Sequence, residues 1–120
     1  MYKIFKNDIY PFCLVVGGLE DVDDINNEYE DYNREDIIPH RTVEASTYPA
    51  YRKGTNYSTV CVLFNVKPTI RLIAHESLHV THLVLDVLCH VPLSDATDEC
   101  YAYLIGWIAE KLDEYRNLII

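Results

Sequence analysis

Hydrophobic and polar positions alternate near the start of the chain and recur at helical spacing near its end. Residues 2–16 alternate and then become continuously apolar, with Pro11 between the two parts and Gly17 and Gly18 after them. Alternation with period two is typical of a strand, and proline and glycine mark strand ends. The pattern predicts two short strands.

The segment 19–36 is acidic and has an apolar residue at every third or fourth position. These apolar positions are Val22, Ile25, Tyr29 and Tyr32. The spacing is that of one face of a helix, so a short amphipathic helix is predicted, with its acidic residues forming a solvated face.

Residues 50–66 have the form of a β-hairpin. The short turn GTN at 54–56 separates AYRK from YSTVCVLFNV, which is rich in β-branched and aromatic residues. After this second strand, Pro68 suits the first position of a helix, and the apolar pattern continues to about His90. A long helix is therefore predicted before Pro92.

A further helix is predicted to follow Pro92. Ser94 or Asp95 can cap its N-terminus, and its apolar pattern continues to about Asn117. The order of strands, helix, hairpin and two helices is typical of an α+β protein. We expect a single domain over residues 1–120, with a short antiparallel sheet packed on the two long helices.

Composition and charge limit the classes of protein to which this chain can belong. A chain of 120 residues with 49% hydrophobic content can close one core, and its formal net charge of -9 repels phosphate backbones and anionic lipids. No stretch has the roughly 20 apolar residues of a membrane span, and Asp8 and Pro11 interrupt the apolar start that a signal peptide would need. We expect a cytoplasmic protein that binds neither nucleic acid nor membrane. Its cysteines lack a C-x-x-C spacing and are expected to be reduced: Cys13, Cys61, Cys89 and Cys100.

The first long helix carries the polar motif HESLH at residues 75–79. Helix positions four apart lie on one face about 6 Å apart, so His75 and His79 can offer two imidazole nitrogens to one zinc ion. Glu76 is rotated by about 100° and would lie beside the metal, where its carboxylate can accept a proton from a water molecule. This is the H-E-x-x-H arrangement, which requires a third ligand. Glu99, in the first turn of the following helix, is the candidate.

The sequence resembles the gluzincin metallopeptidases, the group that includes thermolysin. In that family HExxH is followed on a later helix by a glutamate zinc ligand, at the spacing found between His79 and Glu99. The resemblance implies a small zincin-like domain in which His75, His79 and Glu99 bind zinc and Glu76 is the general base. The segment DECYAYLIGWIAE at 98–110 is also similar to small metallopeptidase-like proteins of phages and prophages.

One position departs from the thermolysin pattern. That family has an aspartate four residues after the metal glutamate, where this sequence has Tyr103. Asp95, Asp98 or Tyr103 would then orient a ligand histidine. Three tyrosines are candidates for a hydrogen bond to the developing oxyanion: Tyr57, Tyr101 and Tyr103.

His82 shares the helical face of the two motif histidines. It lies about 10 Å from His75 along the helix axis, too far for both to bind one tetrahedral zinc ion. Two interpretations stay open: a contact with substrate or with a zinc ligand, or a half-buried histidine that packs in the core.

The predicted function is hydrolysis of peptide bonds by a water molecule that zinc activates, with a peptide or protein as substrate. The acidic surface favours a neutral or basic substrate. One alternative is a zinc-stabilised interaction domain without hydrolytic activity, which would have a closed four-ligand site. Another is an interaction domain without metal, whose histidines form hydrogen bonds in the core.

Overall fold

The computed structural model describes residues 1–119. The chain divides into two compact units, Met1–Lys67 and Pro68–Ile120. In the first unit a five-stranded sheet accompanies one short helix: β1 (Lys3–Lys6), β2 (Cys13–Gly18), a 3-10 turn (Leu19–Asp21), α1 (Val22–Glu28), β3 (Tyr29–Asp31), β4 (Ala45–Arg52) and β5 (Ser58–Phe64). The second unit contains α2 (Ile70–His82), which continues as a π-helix (Leu83–Leu88), and α3 (Asp98–Leu118). The predicted α+β class is confirmed.

The sheet of the first unit has the strand order β1-β2-β5-β4-β3. Three neighbouring pairs are antiparallel, but β2 and β5 run parallel, from Cys13 opposite Thr59 to Gly18 opposite Phe64. The prediction of an antiparallel sheet is therefore wrong at its centre. A tight turn forces two strands to run in opposite directions, whereas β2 and β5 are joined by α1, β3 and β4, a connection long enough for a parallel crossover.

The predicted hairpin is confirmed as β4 and β5, with Gly54 in its turn at a φ of 73°. Its first strand begins at Ala45 rather than at Ala50. Pro49 hid this extension because proline cannot donate to a sheet ladder and favours edges and strand ends. β3 pairs only with Ala50–Arg52, so Pro49 lies beyond that pairing, in an edge-like position where proline is tolerated.

The helix predicted over 19–36 ends at Glu28, and the prediction is wrong beyond that residue. Tyr29 instead begins β3, opposite Arg52, and its side chain is 5% exposed. Its ring joins the core of the first unit, a cluster of Val15, Ile25, Tyr29, Ile37, Ala50, Cys61 and Leu63. Packing of the Tyr29 ring in a strand therefore outweighs the helical spacing of the sequence. Tyr32 continues that spacing, but it is 51% exposed and does not form part of a buried helix face.

The helical segment of the second unit that starts at α2 has well-defined ends. α2 begins at Ile70, where the side chain of Thr69 accepts a hydrogen bond from the backbone N of Leu72 at 3.2 Å. The π-helix ends beside His90, whose φ of 56° is left-handed, and Val91 N donates to Leu85 O at 2.7 Å. The predicted end near His90 is confirmed.

α3 begins at Asp98 rather than at Ser94 or Asp95. The residues before it form a turn, in which the Thr97 hydroxyl donates to Pro92 O at 2.6 Å and accepts from Ser94 N at 2.9 Å. The helix ends at Leu118, close to the predicted end, and buries a stripe of Leu104, Ile108 and Leu112. Among residues 1–119, neither α3 nor any other helix combines the length and apolar content that crossing a membrane requires.

Leu104→Ala is expected to lower the free energy of unfolding by about 2–5 kcal/mol, because Leu104 is fully buried and its truncation leaves a cavity. Urea denaturation followed by circular dichroism measures the change. Leu118→Ala is the control, since Leu118 is 51% exposed on the same helix and its truncation should change stability by less than about 0.5 kcal/mol. Equal losses in the two variants would contradict the burial pattern of α3.

Candidate functional site

His75 and His79 lie one turn apart on α2, and both are exposed. Their Nε2 atoms are 3.1 Å apart, and their ring centroids are separated by 4.8 Å with the planes inclined at 67°. In the protein alone this contact is a hydrogen bond, in which one imidazole donates an N–H and the other accepts. The prediction that the two histidines meet on one helix face is confirmed.

The spacing of the two Nε2 atoms also fits a shared metal ion. Zinc binds imidazole nitrogen at about 2.0–2.1 Å with tetrahedral angles, which places two such nitrogens about 3.3 Å apart. The observed 3.1 Å is close to that value. The pair therefore needs little rearrangement to act as two ligands of one ion.

Glu76 is buried beside the histidine pair. It is 3% exposed, and its Oε2 lies 3.8 Å from Nε2 of His75, whose side chain is 61% exposed. A carboxylate loses hydration when buried, so Glu76 needs polar partners, and at 3.8 Å His75 is a neighbour rather than a hydrogen-bond donor. The motif thus places a buried carboxylate next to an exposed pair of imidazole nitrogens.

Glu99 does not complete this arrangement. It is exposed in the first turn of α3. Within residues 1–119, no three side chains of the types His, Cys, Asp and Glu stand together in positions suited to hold a metal ion. The structure brings together His75, His79 and Glu76, and it leaves the predicted third ligand apart from them.

His82, the last residue of α2, packs against α3. Its ring is half-buried, and its centroid is 5.6 Å from that of Tyr101 with the planes inclined at 65°. Tyr101 is itself buried, and its hydroxyl donates to Val91 O at 2.7 Å. Of the two interpretations of His82, this contact favours packing between the helices, and the Tyr101 hydroxyl is engaged by the backbone.

The remaining predicted residues are divided between the two units. Tyr103 is 43% exposed on α3, and Asp98 is exposed as the first residue of that helix. Tyr57 belongs to the first unit, immediately before β5. Tyr103 and Asp98 therefore present polar groups on the second unit, whereas Tyr57 contributes to a pocket of the first.

Two features of the second unit were not anticipated from sequence. Leu78 is 46% exposed although it is apolar, and it lies on the same helix face as the histidine pair, next to His79. Its helical spacing from His75 could have revealed this position. The π-helix after His82, with Cys89 N donating to Val84 O at 3.0 Å, has no comparable sequence signal, although π turns are frequent at functional sites.

Comparisons with models of protein families, with curated protein sequences and with solved structures found no match to this chain. The candidate site is therefore defined by the geometry of His75, Glu76 and His79 on α2.

Proposed function

We propose that the chain is a zinc-dependent metallopeptidase with its catalytic centre on α2. His75 and His79 are two zinc ligands, Glu99 is the third, and Glu76 is the general base. The observation that supports this assignment most strongly is the Nε2 pair at 3.1 Å next to the buried carboxylate of Glu76.

Each side chain has a separate task in peptide hydrolysis. Bound zinc supplies Lewis acidity, which polarises a carbonyl group and lowers the pKa of water. Glu76 accepts the proton of the attacking water molecule and passes it to the leaving amine. Glu76 is 3% exposed, so the side chains packed around it restrict the position of its carboxylate.

The surroundings of the pair indicate which substrates suit it. Leu78 offers an exposed apolar contact beside His79, which fits an uncharged side chain of a peptide. The net charge of -9 attracts basic peptides, repels acidic ones and leaves neutral ones unaffected. We therefore expect hydrolysis of peptides that combine apolar and basic residues.

Glu99→Gln is expected to weaken zinc binding by roughly tenfold or more, because an amide is a poorer zinc ligand than a carboxylate. Competition with a chromophoric chelator measures the dissociation constant. Glu99 is exposed in the first turn of α3, so its side chain is open to solvent and to an added metal ion.

Glu110→Gln is the matched control, because Glu110 is an exposed glutamate farther along α3. This substitution should leave zinc affinity unchanged. If Glu99→Gln binds zinc as tightly as Glu110→Gln does, then Glu99 is not a ligand, and the third ligand must be sought elsewhere.

A further inference from the structure

The sheet of the first unit carries a pocket of about 200 Å³, called here the sheet pocket. Its polar lining consists of Lys6, Cys13, Glu28, Tyr29, Arg52 and Tyr57. Ile4 adds an apolar wall. None of these residues except Tyr57 belongs to the site assigned from the HESLH motif, so the pocket calls for a separate explanation.

The strand register explains why these side chains converge. Lys6 pairs with Cys13, and Cys13 pairs with Thr59, which also pairs with Ala50. Side chains two positions apart on a strand point to the same face, so Tyr57 and Arg52 share the face of Thr59 and Ala50. Ala50 belongs to the core cluster to which α1 contributes Ile25. The pocket thus lies on the α1 side of the sheet, at the level where α1 ends.

The lining is rich in hydrogen-bond donors. Lys6 and Arg52 place two positive charges there, and within residues 1–119 neither side chain has an ion-pair partner. The lining also holds one carboxylate, Glu28, which accepts a hydrogen bond from the Tyr2 hydroxyl at 2.6 Å and keeps its negative charge. The two cations, both exposed, outnumber the one carboxylate of the lining, so the pocket favours a negatively charged ligand although the chain has a net charge of -9.

Two phenol groups add neutral donors to these cations. Burial raises the pKa of Tyr29 and, likewise, the pKa of Tyr57. Both hydroxyls therefore keep their protons near neutral pH and can donate to an anion. Tyr57 is also 42% exposed, so its ring is accessible to a ligand.

The volume and the single carboxylate limit the ligand further. Pockets for drug-sized molecules measure about 300–1,000 Å³, so 200 Å³ is too small for a nucleotide. Glu28 at the wall repels a dianion more strongly than a monoanion. We propose that the sheet pocket binds a small aromatic monocarboxylate, with its carboxylate held by Arg52 and Lys6 and its ring against Ile4 and Tyr57. This inference is independent of zinc.

Titration of the full chain with benzoate, followed by ¹H–¹⁵N NMR, tests the proposal. Saturable shifts are expected at the backbone amides of residues 6, 13, 52 and 57. Arg52→Gln and Lys6→Gln should each weaken binding by roughly tenfold, the change expected when one charge-assisted hydrogen bond is lost. The spectrum of each variant shows directly whether it is folded.

The controls separate a built site from general attraction of anions. Lys53→Gln removes an exposed positive charge next to Arg52 but outside the lining, so it should leave benzoate binding unchanged. Benzamide, which is neutral, and benzylamine, which is cationic, should bind far more weakly than benzoate. The proposal is overturned if benzoate does not bind, if its shifts lie elsewhere, if Lys53→Gln weakens binding as much as Arg52→Gln, or if benzylamine binds best.

Discussion

Glu76→Gln is expected to reduce peptide hydrolysis by roughly 10²–10⁴-fold, the contribution of a positioned general base. The amide has nearly the shape of the carboxylate but cannot accept the proton of the attacking water molecule. Zinc binding should persist, because the two Nε2 atoms of His75 and His79 are not altered. Cleavage of a library of quenched fluorescent peptides, chosen to include apolar and basic residues, measures the loss.

The control for this substitution is Asp86→Asn, which removes an exposed carboxylate from the π-helix that follows α2. It should cleave the same peptides at the rate of the unmodified protein. If the unmodified protein and Glu76→Gln both bind zinc and neither cleaves any peptide, the peptidase proposal is wrong. The zinc-stabilised interaction domain would then be the better interpretation.

Removal of zinc is expected to lower the melting temperature by roughly 10 °C. A ligand at 100 to 1,000 times its dissociation constant stabilises the folded state by about 3–4 kcal/mol, and about 1 kcal/mol corresponds to some 3–4 °C for a chain of this length. Differential scanning calorimetry before and after exhaustive chelation, and again after zinc is restored, measures the shift. Its reversal on adding zinc shows that chelation itself caused no damage.

Two variants test whether this change in melting temperature comes from zinc bound at the histidine pair. His75→Ala should melt at the same temperature with and without zinc, because one of the two proposed imidazole ligands is missing. Glu76→Gln should keep the full zinc-dependent shift, since it retains both imidazoles. A zinc-dependent shift that survives in His75→Ala would mean that the metal binds elsewhere.

The elements that sequence predicted well are those whose boundaries are set locally. The hairpin turn at Gly54 and the termination of the first long helix near His90 depend on residues next to each other in the chain. The two long helices begin at Ile70 and Asp98, only a few residues after the predicted starts, because Thr69 caps the first and a turn precedes the second. Local capping and turn residues were therefore enough to predict most of these element ends.

The elements that sequence missed depend on partners far along the chain. Tyr29 has helical spacing but pairs with Arg52 in a strand, and Pro49 conceals the first half of β4. The parallel pairing of β2 with β5 is set by which strands become neighbours, and no local pattern encodes that choice. Tertiary packing decides these three cases.

The candidate site likewise has features that the sequence predicts and features that only the fold reveals. The meeting of His75 and His79, with Glu76 beside them, follows from helix periodicity alone and was predictable. The position of Glu99, apart from the pair, depends on the turn between the helices and on the rotamer of an exposed side chain, and helix periodicity determines neither. The burial of Glu76 was likewise visible only in the fold.

The zinc content of the purified protein tests the central claim most directly. Elemental analysis would be made on protein prepared without added metal and then equilibrated with zinc, beside His79→Ala and His90→Asn. His90 is the control because it is exposed, lies outside the motif, and has a left-handed φ of 56° that asparagine tolerates. About one zinc ion per chain in the unmodified protein and in His90→Asn, and none in His79→Ala, is the predicted result. The absence of zinc from all three proteins, or its retention in His79→Ala, would contradict a metal centre at His75 and His79.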